Sequence, residues 1–216
     1  MKIIGASYEI LQFPDHALTL IELAGRTCYK SEDRMDDESS EKFVRMILKR
    51  GHESVIEHAH AVVKFVFDRG VSHEMVRHRL CGFSQESTRY CDYSKKKRKQ
   101  ITGVEECPSI TFIKPCFWDE IDEKYNIWYQ TMVLCERAYF RLRDGGAKPE
   151  EARSVLPNSL KTEIVVSANF REWRHIFRLR TSKFAHPQMR EAMIPCFDEF
   201  VSRCAPVFED IEPFRG

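Results

Sequence analysis

TEIVVSANFREWRHIFRLR, residues 162–180, changes its period part-way along. Its first eight residues, TEIVVSAN, read as a strand. From there Phe170, Trp173, Ile176 and Phe177 share an apolar stripe at helical spacing, while Arg171, Arg174, His175 and Arg178 gather on another side. Asn169, followed three positions later by Glu172, has the pattern of a capping box and sets the start of the helix. Arg180 departs from the pattern, because it falls between Ile176 and Trp173, on the side that should face the core. Two readings stand. Either its guanidinium meets a carboxylate, a run of carbonyls or a ligand, since an unpaired buried charge is costly, or the helix frays and Arg180 caps its last carbonyls.

Sheet and helix alternate outward from this segment. Residues 1–8 read as a strand, and amphipathic helices follow near 15–28 and 38–50, the second ended by Gly51. HAVVKFVF, 60–67, is rich in Val and Phe and reads as another strand. Ser72 can cap a helix carrying Glu74, Met75, Val76 and the Arg77-His78-Arg79 triplet. Beyond Gly82 the chain reads as extended, which would put Ser87 and Arg89 on one face. Residues 118–143 form a long helical stretch ended by Gly145 and Gly146, and two helices close the chain. Strands spread among helices give an α/β or α+β class, and 216 residues without repeats or low-complexity linkers give one domain, 1–216.

Composition narrows the function. Hydrophobic residues at 43% and charged residues at 31% are those of a folded globular protein and exclude a disordered chain. The opening MKIIGASYEILQFPD has a short apolar run broken by Glu9 and Pro14, so neither a signal peptide nor a membrane span is expected, and the chain is expected to be cytoplasmic. Eight cysteines are scattered with no C-x-x-C pair, which predicts reduced thiols, mostly small core residues, and no metal site. Net charge is +1, yet residues 77–99 carry +6 and residues 171–190 carry +5, leaving −10 on the rest. Two basic islands on an acidic body suit a compact anion better than a long polyanion.

The first island is RHRLCGFSQESTRY, 77–90, with three arginines, a histidine and two serines around a glycine. The chain has neither G-x-G-x-x-G nor G-x-x-x-x-G-K-[ST], so any nucleotide must be held by side chains and irregular-turn amides. Arginine forks, serine hydroxyls and a permissive glycine supply such a site. Cys81 lies in the same basic stretch, and a thiolate nucleophile there stands beside a purely structural reading. GHESVIEH, 51–58, misses both zinc-helix patterns, leaving His52, Glu53, Glu57 and His58 as pocket groups or as solvated ones. KKKRK, 95–99, reads as a solvated loop, with a mobile rim for polyanionic substrates as the functional alternative.

Arg77-His78-Arg79, seven residues, then Ser87, continuing to Arg89-Tyr90, resembles the signature of the flavin-dependent thymidylate synthases. GHESVIEH, Arg153 in EEARSVLP and NFREWRHIFRLR agree with that family in order and spacing, from about Gly51 to Arg190. The resemblance implies a central, mostly antiparallel sheet flanked by helices, and reductive methylation of dUMP to dTMP. It implies methylenetetrahydrofolate as carbon donor, FAD as redox cofactor and NADPH as reductant, in a homotetramer with active sites where subunits meet. By position, Ser54, Arg77, His78, Arg79, Gln85, Asn169, Arg171 and His175 would hold FAD. Glu74, Met75, Val76, Arg77, Gln85, Glu86, Ser87, Thr88, Arg89, Arg153 and Arg180 would contact dUMP, with Ser87, Arg89 and Arg153 on its phosphate. Arg180 matches the arginine that activates uracil, and no cysteine nucleophile is needed, which makes Cys81 structural. Gly82, Ser84, Gln85 and His175 depart from residues common among relatives. A basic, aromatic-bearing surface for single-stranded nucleic acid and an NADPH-using flavoprotein oxidase are the rival classes.

Overall fold

The structure is a computed structural model that describes residues 1–95, the strand pairs at 97–98 and 105–106, and residues 108–216. The elements are β1 (Lys2–Ile4), β2 (Ser7–Gln12), α1 (Ala17–Thr27), α2 (Ser39–Lys49), β3 (His60–Asp68), α3 (Arg69–Met75), β4 (Gly82–Gln85), β5 (Lys97–Arg98), β6 (Glu105–Glu106), β7 (Thr111–Ile113), α4 (Glu123–Asp144), α5 (Pro149–Ala152), β8 (Lys161–Asn169), α6 (Phe170–Arg180) and α7 (Pro187–Phe208). Short 3-10 turns occupy Glu32–Arg34, Glu53–His58 and Arg153–Val155. Within KKKRK, read as a loop or rim, Lys97 and Arg98 form β5, paired antiparallel with β6, while Lys96 and Lys99 lie outside the described residues.

β2, β3, β8 and β4 form a four-stranded antiparallel sheet in that order, and with the helices give the expected α/β class. Period-two burial explains the two long strands. Ala61, Val63, Phe65 and Phe67 of β3 are buried, as are Thr162, Ile164, Val166 and Ala168 of β8, and the residues between them are partly exposed. The strand expected over 1–8 is two strands: β1 pairs in parallel with β7, Ile3 opposite Phe112, and after Gly5-Ala6 the chain enters the larger sheet as β2.

The chain sorts into two compact units of non-contiguous segments. One comprises Met1–Ala6, Val66–Glu74 and Gln85–Ile164. Its core gathers Ile110, Phe112, Trp128, Met132, Tyr139 and Leu160, with the Trp128 indole donating to Ser159. α4 starts at Glu123 rather than 118, because Asp122 accepts the Lys124 N–H at 2.8 Å, and it ends at Gly145 and Gly146, the latter at φ +89°.

The other unit comprises Ser7–Phe65, Met75–Ser84 and Val165–Gly216. Its core is aromatic: Phe170, Trp173, Phe177, Phe200 and Phe208 are buried, with Phe177 and Phe200 edge to face at 5.0 Å. α7 kinks at Cys204, ahead of Pro206, whose ring cannot continue a regular helix. α1 and α2 approach so closely that a Cβ on Gly25 would lie 2.6 Å from the Phe43 ring.

Two local expectations are corrected. Ser72 does not start a helix, because Asp68 accepts the Val71 N–H at 2.7 Å and α3 begins at Arg69, with Ser72 inside it donating to the Arg69 carbonyl. Aspartate is as good an N-cap as serine, and it comes first. The helix is therefore spent by Met75, and Arg77-His78-Arg79 lies in consecutive turns, in which the Met75 carbonyl accepts the His78 N–H and the His78 carbonyl accepts the Cys81 N–H.

Candidate active site

Asn169 ends β8 and opens α6 without an intervening loop. Its side-chain oxygen accepts the Glu172 N–H at 2.9 Å, the cap expected from sequence, while the Glu172 carboxylate faces the imidazole of His78. Burial of Phe170, Trp173, Ile176 and Phe177 fixes how α6 is rotated. Arg171 and Arg178 are exposed and face the 3-10 turn at 53–58. Glu57 accepts from Arg171 at 2.6 Å, and Glu53 lies 3.5–3.6 Å from Arg171, Arg174 and Arg178. GHESVIEH thus supplies pocket carboxylates. Asn169, Arg171, His175 and Arg178 line a cleft of about 690 Å³ with Glu53 and Glu57, and Ser54 and Arg171 line another of about 350 Å³ with His52 and Tyr29.

Arg174, expected on the polar side, is 2% exposed. Its two terminal nitrogens meet the Asp210 carboxylate at 2.6 and 2.7 Å and the Val207 carbonyl also accepts from it, so the segment after α7 covers this face. Burial alone would raise the Asp210 carboxyl, but the Arg174 hydrogen bonds together with the Arg174 and Arg178 charges outweigh it and hold the group below its ordinary range.

Between exposed Arg77 and Arg79, His78 is buried. Arg180 donates from Nε to His78 Nε2 at 3.0 Å. This settles the choice left open by the sequence: α6 stays regular to Arg180, and the guanidinium meets an imidazole. Burial first, then Arg180 and His175, lower the His78 pKa to about 4, so the ring is neutral near pH 7. With Nε2 accepting, the proton sits on Nδ1, which faces a Glu172 carboxylate oxygen at 3.4 Å. His175 stands edge-on, its ring centroid 5.5 Å from that of His78. Ligating atoms of His78, Glu172 and His175 lie within 4.8 Å of one another. A cation on Nδ1 would move the proton to Nε2, against the Arg180 N–H, so these groups suit a hydrogen-bond relay better than a metal. Burial, then Glu172, pushes the Cys81 thiol up to about 12, which removes the thiolate. Met75 is fully buried, so only its main chain can reach a ligand, whereas Val76 is exposed.

The other unit carries the second residue set. Ser87 to Arg89 is a turn, not the extended chain expected: the Ser87 carbonyl accepts the Tyr90 and Cys91 N–H groups and its hydroxyl accepts the Arg89 N–H at 3.3 Å. Serine satisfies nearby main chain in this way, which competes with a strand. Arg153 donates to the Thr88 hydroxyl at 3.3 Å, which brings Ser87, Thr88, Arg89 and Arg153 together. Arg89 lies 3.8 Å from Glu150. Glu86 is fixed by the Tyr93 hydroxyl at 3.0 Å and the Lys161 ammonium at 2.8 Å, and its carbonyl accepts from Arg69. The Gln85 amide donates to the hydroxyls of Ser72 and Thr162, at 2.8 and 3.2 Å. Glu74 is half-buried near the end of α3. Sequence reasoning missed Arg69 and Lys161, which sit in no motif.

Residues 9–207 match the model of the family described as thymidylate synthase complementing protein. The chain belongs to this family, the flavin-dependent thymidylate synthases. Flavin-dependent thymidylate synthases of Mycolicibacterium vanbaalenii and Corynebacterium glutamicum are 32% and 33% identical to it, over 92% and 91% of this chain and 81% and 80% of theirs. Among solved structures, the UMP/dUMP methylase PolB of Streptomyces cacaoi, bound with 5-Br dUMP, has the same fold: TM-score 0.77 over 97% of this chain and 96% of that one, at 20% identity.

As a flavin-dependent thymidylate synthase the chain is an enzyme of dTMP biosynthesis. A flavin dinucleotide needs cations for its phosphates and hydrogen-bonding groups around its rings. The clefts at Asn169, Arg171, His175 and Arg178, and at Ser54, offer both, and these residues fit such a group. Among the described residues no helix is long and apolar enough to cross a membrane.

Proposed function

We propose that this thymidylate synthase methylates dUMP reductively to dTMP, with methylenetetrahydrofolate as carbon donor, FAD as redox cofactor and NADPH as reductant. The observation that carries the reading is the Arg180 guanidinium held at Nε by His78 at the end of α6. A guanidinium set against the uracil carbonyl and N3 withdraws charge from the ring, making C6 electrophilic or C5 nucleophilic as the step requires, at no cost of reorganisation. Arg180 is the residue assigned that role. Ser87, Arg89 and Arg153, beside Thr88, bind the nucleotide phosphate through charge-assisted hydrogen bonds. Glu74, Gln85 and Glu86, with the main chain of Met75 and Val76, border the nucleotide, and Lys161 and Tyr93 keep Glu86 in place.

Ser54, Arg77, His78, Arg79, Asn169, Arg171 and His175 are assigned to the flavin, with Gln85 bordering it. When bound, the flavin supplies the hydride chemistry. The protein then needs no thiolate, in keeping with the protonated Cys81. The working enzyme is a homotetramer whose subunits meet at the active sites. A turnover assay of the flavin-loaded enzyme with dUMP, methylenetetrahydrofolate and NADPH, each omitted in turn, tests the reading: dTMP forms only with all three, and dTMP formed without the folate donor overturns it.

A further inference from the structure

We propose that Glu172 is a positioning residue that acts through His78: by accepting the Nδ1 proton it selects the tautomer whose Nε2 lone pair receives Arg180 Nε–H. The inference rests on the assignment of Arg180 to the nucleotide. Its geometry is local to one unit: Glu172 Oε1 to His78 Nδ1 is 3.4 Å, and Arg180 Nε to His78 Nε2 is 3.0 Å. Glu172 and His78 are both buried, so neither can exchange its partner for bulk water.

A neutral imidazole has one donor nitrogen and one acceptor, and arginine can only donate. The Arg180 contact is therefore attractive in one tautomer and repulsive in the other. Elsewhere around the ring, His175 presents an edge, and among the described residues Glu172 is the acceptor that faces Nδ1. Asn169 contributes indirectly: by capping the Glu172 N–H it places the carboxylate on the first turn of α6, two turns before Arg180. One helix thus carries both ends of the relay, with His78 between them, and the Nε contact of Arg180 depends on the proton position on a residue 102 positions away in sequence.

The test is the tautomer itself, read by nitrogen-15 NMR of histidine-labelled full-length enzyme, with His78 assigned by its loss in His78→Gln. The native enzyme shows His78 as Nδ1–H. Glu172→Leu, similar in volume but without an acceptor, converts it to Nε2–H and lowers kcat on the order of tenfold to a hundredfold, with KM for dUMP within about threefold and flavin content unchanged. Glu172→Gln, which can present its amide oxygen to Nδ1, keeps the native tautomer and activity within about threefold of native. His78 as Nε2–H in the native enzyme overturns the proposal, as does a kcat loss in Glu172→Leu with the tautomer unchanged, since Glu172 would then act by packing alone. The spectrum is independent of what Arg180 does to substrate. A native Nδ1–H signal that Glu172→Leu abolishes, together with full activity in Arg180→Ala, would leave the relay standing and remove the role given to Arg180.

Discussion

The guanidinium of Arg174 is gripped at both terminal nitrogens by the carboxylate of Asp210, 36 residues further along, in the segment that follows α7. Asp210→Ala leaves a buried cation short of its main partner and should cost about 1–3 kcal/mol, moderated by Glu53 at 3.5 Å. The folded-state pKa of Asp210 is depressed, so its contribution is complete above the ordinary carboxylate range and is lost as pH falls below about 4. Urea melts of both proteins at pH 7 and pH 3 should show the difference shrinking at the lower pH.

Arg180→Ala should retain flavin and lose dTMP formation roughly a hundredfold or more, the scale of removing a preorganised donor. The flavin spectrum of the purified variant and its single-turnover rate check both halves. Full activity would remove the role assigned to Arg180.

Arg153→Ala and Arg89→Ala should weaken dUMP binding about tenfold to a hundredfold, as expected for loss of a charge-assisted hydrogen bond. Deoxyuridine, which lacks the phosphate, should bind the native enzyme and both variants alike. Unchanged dUMP affinity in titration calorimetry would count against the phosphate site.

Cys81→Ala should keep activity within about threefold, since the Cys81 thiol at about 12 is protonated in the working range. Mass spectrometry after brief iodoacetamide treatment should find Cys81 unmodified. A variant without turnover would return the thiol to the mechanism.

His78 gives stability a second pH dependence. Its folded pKa, about 4, lies below the unfolded value near 6.5, so the unfolded chain binds the extra proton between them. Stability should therefore fall as pH drops from about 6.5 to about 4, by on the order of 3 kcal/mol, and level off below. His78→Gln should flatten that interval in thermal melts.

Where the signal was local, it could be read from the sequence. β8, the Asn169 cap and the apolar stripe of α6 depend on neighbours within a few residues, and the structure has them all. So does β3, whose buried face follows from alternation in HAVVKFVF. The errors came where two local signals compete or where a partner is distant. Asp68 and Ser72 are both good caps, and only the fold shows that the earlier one wins. Helical spacing puts Arg174 on the polar side of α6, because nothing nearby announces Asp210. The reverse holds for Arg180, whose awkward angular position did signal a buried partner, though not that it is His78. Arg69 and Lys161 carry no pattern, and their contacts with Glu86 exist only after folding.

The direct passage from β8 into α6 leaves no slack in the chain, since Asn169 is both the last strand residue and the cap. The strand's register consequently sets the azimuth of every arginine on α6. One residue inserted after Ala168 would swing Arg171 and Arg180 by about 100° about the helix axis. The spacing from the end of this inner strand to the terminal guanidinium behaves as a fixed gear ratio.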